Sequence, residues 1–513
     1  MTSAYDVIIV GYGPVGMIAA NIFGMYGLQT LVIEKKTTFY NIPRAIHFDD
    51  EVMRIFQYIG LEEEILKIAK PIPGLHLIDK HQKVLFQITK GVSSGWDSSY
   101  LFYQPELEFC LHQGAKKYDN VEIKMGVNFS TLSQSSEEVK LSLLEKGEPI
   151  KVKGKYLIGC DGANSTVRNF LKIPMKNLGF SSANLKMDII TDEKTSQPFG
   201  NWIQKLCEPK LGPYVFLNSR KDHLRWEFSL HKKISKNLAE SPEFIQSYLS
   251  KVIDPGKVEI KHVAWYQFKS VIAKKWRFKR IFLAGDAAHQ MPPYIGQGMA
   301  AGIRDISNLG WKIKHSIRSG KGEALLESYQ KERYWHALKV ILLTILVGKL
   351  FISNLSFLLK LVSRIITLKF RKIKIKEIPL SSGFFGKNKK TKGKLFLQPD
   401  IILKGHNKPE KLDKILGKGF AIISLHKSAK SFIGKKNIDL LSKISCDFFV
   451  LNSNRELLNQ EQNISDINTE LENWFLKNKV QVVILRPDRY IFDATSLQNL
   501  ENSIDLLNKK SGL

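Results

Sequence analysis

The spacing of apolar positions changes several times along the chain, and each change marks an element. Val7, Ile8, Ile9 and Val10 form an unbroken branched run that stops at Gly11, and small and apolar residues then continue to Ala20. Such a run bounded by glycine predicts a strand buried on both faces, and the stretch after it predicts a helix. QTLVIEKK repeats the strand signal and ends in Glu34. Strand and helix signals alternate from residue 6 to about residue 66. Across 84–144 the pattern is mixed, with short alternating runs such as VEIKMGVNF and EVKLSLLEK, and residues 156–160 predict another buried strand. Residues 185–270 read as mainly β. In HLRWEFSL, His223, Arg225 and Glu227 share one face while Leu224, Trp226 and Phe228 share the other. That pattern suits either a pocket floor or a sheet with one wet side.

Residues 281–284 predict a further short strand, followed by a long helix. Within it Met299, Ile303, Ile306, Gly310, Ile313 and Ile317 recur at three- and four-residue spacing, an inward stripe. Residues 337–368 are strongly apolar, but Lys349, Lys360 and Arg364 interrupt them, whereas a bilayer span needs about 20 uninterrupted apolar residues. Core-facing helices are predicted there, and the basic flank leaves an interfacial helix open as the alternative. The Lys/Gly/Ser-rich segment 381–394 reads as a linker. Beyond it GFAIISL, CDFFVLN and VQVVILRP predict strands, with a helix at 466–477, and together a small separate α/β domain. No internal repeat is present.

Composition narrows the class. A chain of 513 residues with 43% hydrophobic and 25% charged positions can bury a large core, which excludes wholesale disorder. Lysine plus arginine number 77 against 49 acidic residues, a net charge of +28. The lysines are scattered, apart from KFRKIKIK at 369–376 and KNKKTKGK at 387–394. These read as solvated surface and linker. Without a recognition motif or aromatic–basic interleaving, nucleic-acid binding is not expected, while weak contact with an anionic membrane surface is compatible with the charge. Cys110, Cys160, Cys207 and Cys446 form no C-x-x-C pair. That argues against a disulfide framework, a metal site or dithiol chemistry and fits a reducing compartment, so a cytoplasmic location is expected. The N-terminus, MTSAYDVIIVG, lacks a basic segment and reads as a core strand rather than a signal peptide.

The chemistry begins at the first turn. Gly11, Gly13 and Gly16 form G-x-G-x-x-G between strand and helix. The first permits a tight turn, the second lets backbone approach a pyrophosphate, and the third lets helix and strand pack closely. Glu34 lies eighteen residues after Gly16 at the end of the second strand, where a carboxylate accepts ribose hydroxyls. Two later segments repeat the strand-end arrangement. YLIGCDGANSTVR places Asp161 and Gly162 after a strand, followed by Ser165 and Arg168. IFLAGDAAH places Gly285 and Asp286 after another, followed by Pro292, Pro293 and the GQG at 296–298. Each aspartate alone is an ordinary turn or cap residue. Three such strand ends in this order predict one elongated cofactor site, with helix-start N–H groups facing a ring that takes up electrons.

With these residues assembled, the sequence resembles the FAD-dependent aromatic hydroxylases typified by p-hydroxybenzoate hydroxylase and phenol hydroxylase. GYGPVG, CDGANSTVR and LAGDAAHQMPP look like the family's three fingerprints. PRAIHFDDEVMRIFQYIGL, YQPELE, GQGMAAGIRDISNLGWKI, GKLFLQPDI and VILRPDRYIFDAT look like the branch that contains 3-(3-hydroxyphenyl)propionate hydroxylase. The resemblance covers nearly the whole chain. It implies a mixed α/β fold: a Rossmann-like FAD-binding domain formed by residues 1–184, with a β insertion near 75–105, and by 271–380. A β-rich substrate domain would span 185–270, followed by the linker 381–394 and a thioredoxin-like domain at 395–513. For the last, the missing C-x-x-C points to packing or oligomerisation, and a homodimer is expected.

The resemblance also implies roles. Gly11, Gly13 and Gly16 would cradle the FAD pyrophosphate, and Glu34 would bind the adenosine ribose. Arg44 and Gln104 would reach the phosphate and ribityl region. Asp161 would lie beside FAD and the passing nicotinamide. Asp286 would hold the ribityl chain, Pro292 and Pro293 would flank the isoalloxazine, and the Gly296–Gly298 backbone would face its pyrimidine edge. The implied reaction uses NADH or NADPH and O2 to hydroxylate a small phenolic acid ortho to its hydroxyl through a flavin C4a-hydroperoxide, with 3-(3-hydroxyphenyl)propionate as the named substrate. A polyketide- or quinone-type ring, or a flavoprotein oxidoreductase without oxygen transfer, are the alternatives. The chain departs from many relatives at Met299, Ala300 and Ala301, which stand where an Asn contact to flavin is common. His47 either lines the active site and draws the phenolic proton or packs the core. Tyr294 and Pro293 bound the reacting region, and His336 matches a family position near the pocket.

Overall fold

The computed structural model describes residues 3–39, 44–72, 75–78, 84–90, 94–199, 204–207, 214–220, 222–231, 233–352, 372–375, 377–403, 408–452 and 462–512. The first apolar run forms β1 (Ser3–Val10), the glycine turn leads into α1 (Pro14–Met25), and QTLVIEKK supplies β2 (Thr30–Glu34). β1 is central in its sheet. It pairs in parallel with β2 on one side and with the strand Glu148–Gly159 on the other. The latter pairs in parallel with Ile281–Leu283, and β2 with Val121–Met125. Val10 lies opposite Ile33 and Gly159, and Gly159 lies opposite Leu283. This register makes four strands finish level with one another, so the loops that follow them emerge side by side at the carboxyl edge of the sheet, where ligands of such sheets bind.

A second sheet, with nine strands among the described residues, is mixed. Its longest strands, Met175–Ile190 and Glu259–Ala273, pair near one edge, and His223–Leu230 follows on the inner side of Met175–Ile190. Leu185, Met187, Ile189, Leu224, Trp226 and Phe228 turn one way into an apolar core. The opposite face carries Lys186, Asp188, Arg225 and Glu227, all buried. The face that alternation marks as polar is therefore covered by protein, not by bulk water. Strand Lys372–Ile375 from the first basic cluster joins this sheet through Val84–Lys90; residues 369–371 and 376 of that cluster lie outside the described residues.

The long helix is Gly298–Ser319. Ile303, Ile306 and Ile313 are buried as the stripe predicts, but so are Arg304, Asp305, Asn308 and Lys312. The helix is enclosed nearly all round, and its polar side chains are partnered internally. The next helix runs Glu323–Ile352. It is core-facing on one side only: Val340, Ile341 and Ile345 are buried, while Trp335, Leu342 and Leu346 are half exposed. The rest of the apolar segment, 353–368, lies outside the described residues. Among those described, no helix is long and apolar enough to cross a membrane.

In the C-terminal sheet Phe420–Leu425 lies between Cys446–Leu451, to which it is parallel, and Val482–Leu485, to which it is antiparallel. Helix Glu470–Asn478 and two others cover it, a thioredoxin-like arrangement. Segment 381–394 is packed rather than loose. Phe384, Phe385 and Thr391 are buried, and the N–H groups of Gly386 and Gly393 donate to the carbonyls of Phe492 and Ile491.

This domain is fastened to the rest by buried charges. Arg54 donates twice to Asp413 at 2.5 and 2.7 Å. Glu332 accepts from Arg486 and Lys312, each at 2.9 Å, and from Asn308 at 2.7 Å. Burial pushes the Glu332 carboxyl up, but Arg486 and Lys312 outweigh it and hold it at about 2. Lys312 is itself lowered to about 8, chiefly by burial and despite Glu332, because Arg486 competes for the same carboxylate. The carboxylate is thus the well-compensated member, and Lys312 the costly one. Because Glu332 titrates lower in the folded chain than the ordinary 4.5, its contribution is complete above that pH and is lost as pH falls towards about 2. Glu332→Gln leaves two buried cations short of a counter-charge and should cost about 3–5 kcal/mol. Denaturant unfolding from neutral to acid pH checks this: the wild-type advantage over the variant should shrink across that acid window.

Candidate active site

The glycine turn divides its work between packing and access. Gly11 has φ +100°, and a Cβ there would lie 2.6 Å from the carbonyl oxygen of Cys160. A Cβ on Gly16 would lie 2.0 Å from the carbonyl oxygen of Gly11. These two glycines let the first and second strand-end loops and α1 touch. Gly13 differs: its Cβ would meet no protein atom within 4 Å. It is also the N-cap of α1, and no side chain caps that helix. Glu34 is held by the N–H groups of Tyr12 at 2.9 Å and Lys36 at 3.0 Å, so its carboxylate faces the turn, ready to accept further hydroxyls.

The second and third loops are pinned to one another. Arg168 donates to the carbonyls of Ala163, in its own loop, and Ala287, in the next, at 2.9 and 3.0 Å. Asp161 accepts from Val167 N through Oδ2 at 3.0 Å, while its Oδ1 is buried with no hydrogen-bond partner among the described residues. Burial raises its pKa. In the third loop Gly285 has φ +61° and its N–H donates to Asp305 Oδ2 at 3.0 Å. The same oxygen contacts His289 Nε2 at 2.7 Å, and Arg333 Nε donates to the other at 2.9 Å. Arg333 also reaches His336 Nδ1 at 3.1 Å, so His336 sits behind this loop in its supporting network. Asp286 projects from the loop with an exposed side chain, and desolvation by the surrounding protein raises its pKa against the pull of His289 and Arg44.

Arg44 is exposed, and its backbone is clamped. Gln104 Oε1 accepts from Arg44 N at 2.7 Å and Ala45 N at 2.6 Å, and Gln104 Nε2 donates to Glu108 at 2.6 Å. Arg225 Nη1 donates to the Arg44 carbonyl at 2.9 Å. The Gln104 amide thus holds the Arg44 segment. Pro292 is buried and Pro293 half-buried, leading to Tyr294. The Tyr294 hydroxyl donates to Ser182 Oγ at 3.1 Å, and its ring lies edge-on to Phe180. Burial raises its pKa, so it is a neutral phenol. Gly296 has φ +63° and backs onto His47: a Cβ there would lie 2.7 Å from His47 Nδ1. His47 Nε2 contacts Ser99 Oγ at 3.2 Å. Gly298 begins the long helix, which no side chain caps. Gly302 of that helix, Gly285 and Val15 of α1 are mutually in contact, so both uncapped helix starts open on the same region.

These features fit a bound flavin dinucleotide: open space over Gly13, an orphaned Asp161 oxygen and two uncapped helix N-termini. Asp305, His289, Arg333, Gln297 and Arg304 support the site, and sequence reasoning gave them no role. The signal available was polar residues at inward helix positions. Among the described residues no group of His, Cys, Asp or Glu is arranged to hold a metal ion.

Comparison with known proteins agrees with this geometry. Residues 4–344 match the family described as FAD binding domain, and residues 393–510 match the HcaD C-terminal domain. A 3-(3-hydroxy-phenyl)propionate/3-hydroxycinnamic acid hydroxylase of Mycobacterium sp. (strain KMS) is 30% identical over 96% of this chain and 89% of its own length. A probable NADH-specific resorcinol 4-hydroxylase of Rhodococcus jostii (strain RHA1) is 29% identical over 98% of this chain and 94% of its own. The crystal structure of the flavin-dependent monooxygenase PieE in complex with FAD and substrate superposes with a TM-score of 0.84 over 99% of both chains at 16% identity, a likeness of fold.

The glycines give a separable test. Gly13→Val places its side chain in open space and should leave stability within about 0.5 kcal/mol of wild type, yet weaken FAD binding at least tenfold, to order of magnitude, by blocking phosphate hydrogen bonds. Gly16→Ala should instead lower the melting temperature. FAD titration beside thermal melts checks both, and a Gly13→Val protein with wild-type FAD affinity would refute the assignment.

Proposed function

Since the chain belongs to the family of FAD-dependent aromatic hydroxylases, we propose that it hydroxylates a phenolic acid, 3-(3-hydroxyphenyl)propionate being the first candidate, with NADH as reductant. When bound, FAD supplies the acceptance of hydride from the nicotinamide and the activation of O2. One oxygen atom enters the ring and the other leaves as water. The name of the Rhodococcus relative supports NADH, and that of the mycobacterial one supports the substrate class.

The observation that carries the acid is the polar face of the second sheet. Ser182, which accepts the Tyr294 hydroxyl, lies on the same strand as Lys186 and Asp188. Arg225 donates to Asp188 at 2.7 Å, Lys186 lies 3.3 Å from it, and Glu227 is 3.7 Å from Arg225. Burial raises Glu227 and lowers Lys186 to about 8. Two cationic side chains, Lys186 and Arg225, thus stand on this low-dielectric face, where a charged donor holds an anionic substrate group more strongly than in water. In this reading Lys186 meets the substrate carboxylate. Tyr294 and Pro293 bound the ring, and His47, beside the 296–298 turn, accepts the phenolic proton. Asp161 and Asp286 hold FAD hydroxyls, and the clamped Arg44 segment meets its phosphates.

The test is a panel of phenolic acids, their neutral analogues and fused-ring phenols, each scored for stimulated NADH and NADPH oxidation and for product mass in labelled O2. The acid should give a product one oxygen heavier, and removing its carboxylate should raise KM about tenfold with kcat little changed. Lys186→Met should erase that preference. Stimulation by neutral fused rings alone would overturn the reading, as would NADH oxidation without labelled product.

A further inference from the structure

Gln297, the side chain of the glycine-rich turn, is gripped at both ends. Its Oε1 accepts from Arg304 Nη1 at 3.0 Å, and its Nε2 donates to Asp49 Oδ2 at 3.1 Å. Arg304 also donates to Asp49 through Nη2 at 2.5 Å and to Glu51 through Nε. The remaining Glu51 oxygen, Oε1, accepts the Tyr490 hydroxyl at 2.7 Å. Asp49 ends the strand β3 (His47–Asp49), whose His47 backs Gly296, and it caps the helix α2 (Asp50–Tyr58) through Val52 N. The turn is thus fixed by His47 on one side and by this chain of polar groups on the other. The far end of the chain belongs to the C-terminal domain. Asp49, Gln297, Arg304 and Tyr490 are all buried, and hydrogen bonds to charged groups in such a setting are stronger than neutral ones.

We propose that Tyr490 is a positioning residue for the flavin. By holding Glu51 it fixes Arg304, and through Arg304 it fixes Gln297 and the direction of the backbone N–H groups at 296–298. The inference rests on the reading that this turn faces the flavin ring. Its physical content is preorganisation: donors already aimed at a ring that gains negative charge on reduction stabilise the reduced form without reorganising. The C-terminal domain, without the cysteine pair for redox work, then has a part in tuning the cofactor. A second contact from the same short segment runs alongside. Arg486 binds Glu332 at 2.9 Å, and the next residue, Arg333, holds the Asp305 that receives Gly285 N.

A role in docking alone makes a different prediction, because Arg54 fastens the same domain through Asp413 and the Phe396 carbonyl without touching the turn. Full-length Tyr490→Phe, Glu51→Gln and Arg54→Met should therefore be compared as FAD-loaded proteins by visible spectrum, flavin midpoint potential, FAD titration and thermal melting. Tyr490→Phe should bind FAD with at most about tenfold weaker affinity, shift the midpoint potential to more negative values and change the flavin spectrum. Glu51→Gln should move potential and spectrum in the same direction. Arg54→Met should lower the melting temperature and leave both at wild-type values. Wild-type potential and spectrum in Tyr490→Phe and Glu51→Gln, with FAD bound, would overturn this inference alone. An equal shift in Arg54→Met would do the same, since it would reduce the effect to docking. A wild-type protein that takes up no FAD would overturn the underlying reading together with it.

Discussion

Residue 11 has no room for a side chain because the Cys160 carbonyl passes where a Cβ would stand, 2.6 Å from it. This approach between the first two strand-end loops is the constraint on which the site depends. It follows from register: Val10 and Gly159 are parallel partners, and Gly159 is in turn level with Leu283. With the strands level, residues far apart in sequence leave the sheet as neighbours. Arg168 then ties the second loop to the third, and Val15, Gly285 and Gly302 close the third against α1. An FAD laid across these ends would have the open space over Gly13, the Glu34 carboxylate and the glycine-rich turn at 296–298 within the same edge of the sheet. The protein contributes placement and exclusion of water, and the cofactor contributes the chemistry.

Around this edge several of the described charged side chains are buried and held by partners of opposite charge. Asp305, Glu332 and Asp188 each serve two or more cations or histidines. Networks of this kind contribute less to net stability than their short distances suggest, because desolvation offsets much of the attraction. They do fix direction. Asp305 orients Gly285, Gln104 and Arg225 hold the Arg44 segment between a helix and the second sheet, and Arg304 holds Gln297. The support of the site is polar and long-range, whereas its frame is apolar and local.

That division explains what could be read from the sequence. Strands such as VIIV and FAIISL announce themselves because burial on both faces demands consecutive apolar residues, and Gly11 and Gly16 because close packing leaves no alternative. The face of HLRWEFSL carrying His223, Arg225 and Glu227 was legible as polar, but its burial was not, since the cover comes from elements distant in the chain. Gln104 reads as a cofactor ligand by resemblance, and the grip of its amide on the Arg44 backbone sixty residues away is recorded in no local spacing. Arg304 and Lys312 lie on a helix whose apolar stripe gives no hint that its other faces are enclosed. Their partners, Glu51 and Glu332, are distant in the chain, and no period of three or four residues records such pairings. Segment 381–394 has a linker's composition because its lysines point outward, while Phe384, Phe385 and Thr391 anchor it.

The central claim is that adjacent strand-end loops build one site for one FAD. Purified protein, released of flavin under mild conditions and titrated with FAD while absorbance and flavin fluorescence are followed, tests it most directly. A tight endpoint at one FAD per chain, with the shifted spectrum of an enclosed flavin, is the predicted result. A colourless polypeptide that leaves added FAD with the spectrum of free flavin would contradict it.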